Sequence, residues 1–135
     1  MKPVVQQEAT GCAIASAAAL AGVSYASAKK AAKELGITAA DPSLWSDTTH
    51  IRRLLSHYHI GTDDAETPFT HWKDLPDRAL LAIKWHLEKG TPYWHWVVFI
   101  RDAHGEYVLD SKKALKQNVR TDFGRIKPKW FIGLT

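Results

Sequence analysis

The chain has 135 residues, 45 % of them apolar and 24 % charged, with a formal net charge of +4. That length fits one domain with a single core, and the composition is that of an ordinary globular protein. A charge of +4 is too small by itself to indicate nucleic-acid binding, and the single cysteine, Cys12, excludes an internal disulfide.

The opening residues 1–8 lack the layout of a secretory signal. The apolar stretch 13–23 is too short and Ala-rich for a membrane span. A cytoplasmic protein without a membrane segment is expected. From Cys12 to Ala21 the chain is apolar nearly all round and rich in Ala, the best helix former, so a buried helix is predicted there, ended by Gly22. Ser24 is the predicted N-cap of a second helix, residues 25–35, with Gly36 as its stop and Lys29, Lys30 and Lys33 on its wet side. A third helix is predicted over residues 50–58, capped by Thr48 or Thr49, with Ile51, Leu54, Leu55 and Tyr58 inward. Residues 61–77 are polar, contain two prolines and read as a long connection.

Beyond this the period changes. Residues 80–85 form a short apolar run, and residues 95–101 are rich in β-branched and aromatic types. Asp102-Ala103-His104-Gly105 reads as a hairpin turn, residues 106–110 as the returning strand, and residues 130–134 as a last strand. Helices followed by antiparallel strands define an α+β fold, N-terminal helices packed on an antiparallel β-sheet.

Cys12 stands where the first helix begins, and free N–H groups at a helix start favour a thiolate. Taken alone, a small residue on an apolar helix is more often merely buried. His95 opens an apolar strand and is positioned to face a cleft. If residues 102–105 form the hairpin loop, Arg101 faces Glu106 and Val97 faces Asp110. His95 and Asp110 then become diagonal neighbours on one sheet face, ~7–8 Å apart at Cα. Asp110 can orient the imidazole there, whereas a one-residue slip would separate the pair. A side-chain amide of Gln6, or of Gln7, together with the Cys12 N–H, can stabilise an oxyanion.

Gln6-Gln7-Glu8-Ala9-Thr10-Gly11-Cys12-Ala13-Ile14-Ala15, then His95-Trp96-Val97-Val98-Phe99 and Val108-Leu109-Asp110-Ser111, resembles the C39-like cysteine peptidases. That family's pattern is a Gln six residues before the Cys, a helix starting at the Cys, a His leading an apolar strand and an Asp one hairpin further on. The resemblance implies a papain-like fold, with Cys12, His95, Asp110 and Gln6 as the catalytic set. Two departures stand out. Gly11-Cys12-Ala13 replaces the usual Asp-Cys-Gly, and Asp110-Ser111 replaces Asp-Pro. Many family members are fused to a transporter and cut leader peptides; no transporter lies in these 135 residues.

The expected activity is cysteine hydrolysis of a peptide or protein substrate through a thioester, with glutamine or asparagine deamidation as the alternative reaction. A rival of another class is a non-catalytic binding module using an aromatic cleft and the basic C-terminal part. His50, His57 and His59 have no Cys or carboxylate at a familiar ligand spacing, so neither a metal nor a cofactor is expected. Lys112, Lys113, Lys116, Arg120, Arg125, Lys127 and Lys129 read as a solvated basic face. The sequence leaves the oligomeric state open.

Overall fold

The computed structural model describes all 135 residues. Three helices come first: α1 (Cys12–Ala21), α2 (Tyr25–Glu34) and α3 (Thr49–His57). Six strands follow: β1 (Thr67–Pro68), β2 (Arg78–Glu88), β3 (Thr91–Asp102), β4 (Gly105–Leu109), β5 (Val119–Arg120) and β6 (Trp130–Gly133). They form one antiparallel sheet in the order β1-β6-β2-β3-β4-β5. The α+β class and the helix-then-strand order agree with the sequence, and no helix is long and apolar enough to cross a membrane.

Every residue of α1 from Cys12 to Leu20 is buried. The helix is walled by α2, α3, β3 and a short 3₁₀ turn at Pro42–Trp45. Alanines allow such close approach at little side-chain entropy cost. Gly22 ends α1 at φ 72°, where its N–H reaches back to the last-turn carbonyls. Ser24 caps α2 by accepting from Ser27 N at 3.1 Å, as predicted. At α3 the cap differs from prediction: Thr48 holds the N-cap position but makes no capping bond, and Asp47 Oδ1 accepts from Thr49 N at 2.6 Å instead.

Both faces of the central strands are covered, which is why the sequence reads as continuous apolar runs instead of alternation. Leu80, Ala82, Trp96, Val98, Ile100 and Leu109 pack toward the helices. Ala79, Leu81, Ile83, Val97, Phe99 and Val108 pack against Leu75 and Ile126, with Phe69, Trp72 and Phe123 at the margin. The connection at residues 61–77 is therefore not a bare loop. It carries β1 and a second 3₁₀ turn at Trp72–Asp74, and helps close the far face of the sheet.

The hairpin of β3 and β4 has the predicted register, with Arg101 opposite Glu106 and Val98 opposite Leu109. The hairpin of β2 and β3 is longer than the apolar runs suggest. It closes through Lys89 (φ 50°) and Gly90 (φ 83°), a two-residue turn of the left-handed kind that suits strand twist.

Candidate active site

Cys12 is the first residue of α1 and is wholly buried. No side chain caps this helix. Ala15 N takes the Gly11 carbonyl, while the N–H groups of Cys12, Ala13 and Ile14 have no acceptor. Three free donors and the positive end of a helix thus surround the thiol. Gly11 has an ordinary φ of −82°, so tight turning does not explain it. A Cβ there would run into the Tyr25 hydroxyl oxygen. That space holds Tyr25, whose hydroxyl donates to Glu8 Oε1 at 2.6 Å. Lys29 pairs with the other Glu8 oxygen at 2.9 Å. Thr10 Oγ1 donates to the Ala39 carbonyl. Together these contacts anchor the turn that leads into Cys12.

His95 and Asp110 meet as the hairpin register requires. His95 Nε2 lies 2.7 Å from Asp110 Oδ1, with the two side chains 14 % and 1 % exposed. The carboxylate accepts, so Nε2 carries the hydrogen and Nδ1 is left for the thiol. Burial acts to lower the His95 pKa, but hydrogen bonds to Asp110 and Cys12 outweigh it and push it up to about 9. Asp110 also accepts from Lys112 N at 3.0 Å and from Arg120 Nη1 at 3.0 Å. Burial would raise its carboxyl, yet His95 and these donors hold it down at about 2. An imidazolium beside the thiol and a carboxylate behind the imidazole is the charge arrangement of a nucleophile with an oriented base.

Gln6 is buried close to the same centre, but its amide is already engaged. Nε2 donates to the carbonyls of Glu8 (3.0 Å) and Ala9 (2.9 Å), and Oε1 accepts from Ser111 Oγ at 2.7 Å. Gln6 N also donates to Ser111 O at 3.0 Å. Gln6 therefore ties the segment before Cys12 to the end of β4, and must release a carbonyl before it can donate to an oxyanion. A proline at position 111 would supply no hydroxyl for Gln6.

A cleft of about 510 Å³ opens beside this centre. Its lining takes in residues 6–9 and His95, an aromatic wall of Trp45, Tyr93 and Trp94, and the lysines Lys84, Lys112 and Lys113. Trp45 and Tyr93 meet edge to face with centroids 6.5 Å apart. Trp94 also joins Trp96 and Trp130 in an edge-to-face cluster. Cys12 does not line this cleft; residues 6–9 run along its margin.

Arg120 is the main residue that sequence reasoning missed. It was grouped with a solvated basic face, yet its side chain is 16 % exposed and bridges Asp110 to Asp122. No spacing reveals this, because only the pairing of β4 with β5 sets Val108 opposite Arg120. Asn118 contributes by donating Nδ2 to the Asp110 carbonyl at 2.7 Å. No group of three or more His, Cys, Asp or Glu side chains is arranged to hold a metal.

These features define an α+β domain in which a helix-start cysteine, a histidine and an aspartate converge beside an aromatic cleft. No protein-family model, curated protein or solved structure matches the chain.

Proposed function

We propose that this protein is a cysteine hydrolase with a papain-like arrangement, similar to the C39-like peptidases, that cleaves peptide bonds by acyl transfer. The observation that carries the reading is the 2.7 Å bond from His95 Nε2 to the buried Asp110, with Cys12 at an uncapped helix start close enough to help raise the His95 pKa. His95 holds the proton as an imidazolium beside the Cys12 thiolate, and the sulfur attacks the substrate carbonyl carbon. The developing oxyanion is met by the Cys12 N–H, joined by Gln6 Nε2 once it leaves the Ala9 or Glu8 carbonyl. His95 then hands its proton to the leaving amine. Water, activated by the same imidazole, hydrolyses the thioester and restores the thiol. Because Cys12 is wholly buried, substrate must gain access to it through a local opening beside the cleft. A lone reactive thiol is best preserved in a reducing compartment, which favours the cytoplasm.

The burial of Cys12 and the engaged amide of Gln6 stand on the side of a non-catalytic binding module. The deciding experiment incubates the protein with a peptide library and follows products by mass spectrometry, with Cys12→Ala as control. Cleavage that vanishes in Cys12→Ala supports the peptidase. A mass gain of about one dalton at Gln or Asn, with release of ammonia, transfers the same machinery to deamidation. Turnover unaffected by Cys12→Ala, or none at all, overturns the hydrolase reading.

A further inference from the structure

The register of β2 against β3 breaks beside the candidate site. Ile83 pairs with His95 and His86 pairs with Tyr93, so Lys84 and Trp85 both lie opposite the single residue Trp94. Such a bulge re-aims side chains and is common next to active sites. Lys84 sits in it at φ 54°. That conformation is unfavourable for a residue with a Cβ, and lysine has no short polar side chain to ease it. Strain of this sort is retained where the position is useful.

The bulge brings Lys84 to the boundary between the aromatic cleft and a second cleft of about 390 Å³ beside Asp110. Lys112 lines both clefts as well. Lys84 and Lys112 thus share the lining of both clefts, and burial and then Lys112 lower the Lys84 pKa. Neither lysine has a carboxylate within ion-pair distance. Asp110, facing the second cleft, is occupied by His95 and Arg120, and Asp122 is occupied by Arg120. Glu8, which also lines the aromatic cleft, is occupied by Lys29 and Tyr25, and Glu88 by His86. Two adjoining ammonium groups with every nearby acid already engaged repel each other until an anion lies between them. Lys112 is, moreover, fixed to the reacting centre through its own N–H to Asp110 Oδ1.

We propose that Lys84 and Lys112 form an anion subsite that selects substrates carrying a carboxylate close to an apolar or aromatic group, which rests on the aromatic wall. The proposal deepens the hydrolase reading and rests on it for the word substrate, but the binding step can be tested without turnover. The carboxylate has two possible sources, an acidic side chain or a free peptide C-terminus.

The test titrates the Cys12→Ser protein with three probes, read by tryptophan fluorescence: N-acetyl-Phe-Glu-amide, N-acetyl-Phe-Gln-amide and N-acetyl-Phe with a free carboxylate. At least one anionic probe is expected to bind ~10-fold or more tightly than the Gln probe, with the preference reduced by salt. The preference is expected to disappear in Lys84→Met and in Lys112→Met. Lys84→Gly suits the positive φ, so it keeps the test valid if Lys84→Met unfolds. Tighter binding of the Glu probe alone assigns the subsite to an acidic side chain, and of the free acid alone to a C-terminus. Equal binding of all three probes, or discrimination that survives the lysine variants, overturns the proposal. In the protein with Cys12 intact, iodoacetate and iodoacetamide separate the two layers. A fall in their rate ratio in Lys84→Gly supports the subsite, whereas slow reaction with both reagents counts against the nucleophile, leaving the titration to judge the subsite.

Discussion

Replacing Asp110 by Asn tests what holds the proton on His95. Asp110 is 1 % exposed and 2.7 Å from Nε2, so its charge acts on the ring with little screening. In the wild type the imidazolium persists up to about 9, against an ordinary value of 6.5. In Asp110→Asn the burial that opposes the charge remains and only Cys12 supports it. The midpoint should fall by at least ~1 unit and by up to ~2.5, the latter equivalent to ~3.4 kcal/mol. The sign of the linked stability follows. A raised histidine pKa contributes fully below 6.5, and that contribution is lost as pH rises through about 9. The wild type should therefore exceed the variant in urea stability most at pH 6, with the gap narrowing toward pH 10. The ring is followed by NMR of labelled histidine, with His95→Gln to assign the resonance among the seven histidines. A midpoint that stays near 9 in Asp110→Asn would refute the argument that the carboxylate holds the proton.

Two further substitutions test the supports of Cys12. Gly11→Ala sets a Cβ against the Tyr25 hydroxyl and only 3.1 Å from the Glu8 carbonyl oxygen, so a loss of ~1–3 kcal/mol is expected in urea unfolding. Tyr25→Phe should recover part of it; a neutral Gly11→Ala would show that the turn yields freely. Ser111→Ala leaves Gln6 Oε1 buried without its donor and should cost ~1–3 kcal/mol. A double-mutant cycle with Gln6→Leu should show coupling of ~0.5 kcal/mol or more, and strictly additive losses would mean the two side chains do not act as a pair.

The parts of this molecule that were legible in the sequence are those set by local rules. Ala-rich composition, Gly22 and Ser24 define α1 and α2 to within a residue at each end, because caps and propensity act over one turn. The register joining His95 to Asp110 was legible because a short loop fixes a hairpin. Features set by distant pairing were not. Arg120 reaches Asp110 through a two-residue strand with no periodicity of its own. The Lys84 bulge has no glycine to announce it. The short helix cap at Asp47 lay one residue outside the two threonines that composition favours. Gln6 was found at the right place, but its engagement with Ser111 and two carbonyls depends on how the N-terminal segment folds back on β4.

The central claim, that His95 activates Cys12, is tested most directly by the rate at which iodoacetamide alkylates Cys12 at pH 6.5, compared between the wild type and His95→Ala. An ordinary thiol is only ~1 % ionised at this pH, so a thiol ionised by a neighbouring imidazole reacts up to ~100-fold faster. The account predicts a single adduct at Cys12 and a rate at least ~10-fold lower in His95→Ala. Equal rates in the two proteins, or no adduct on the native wild type, would contradict it.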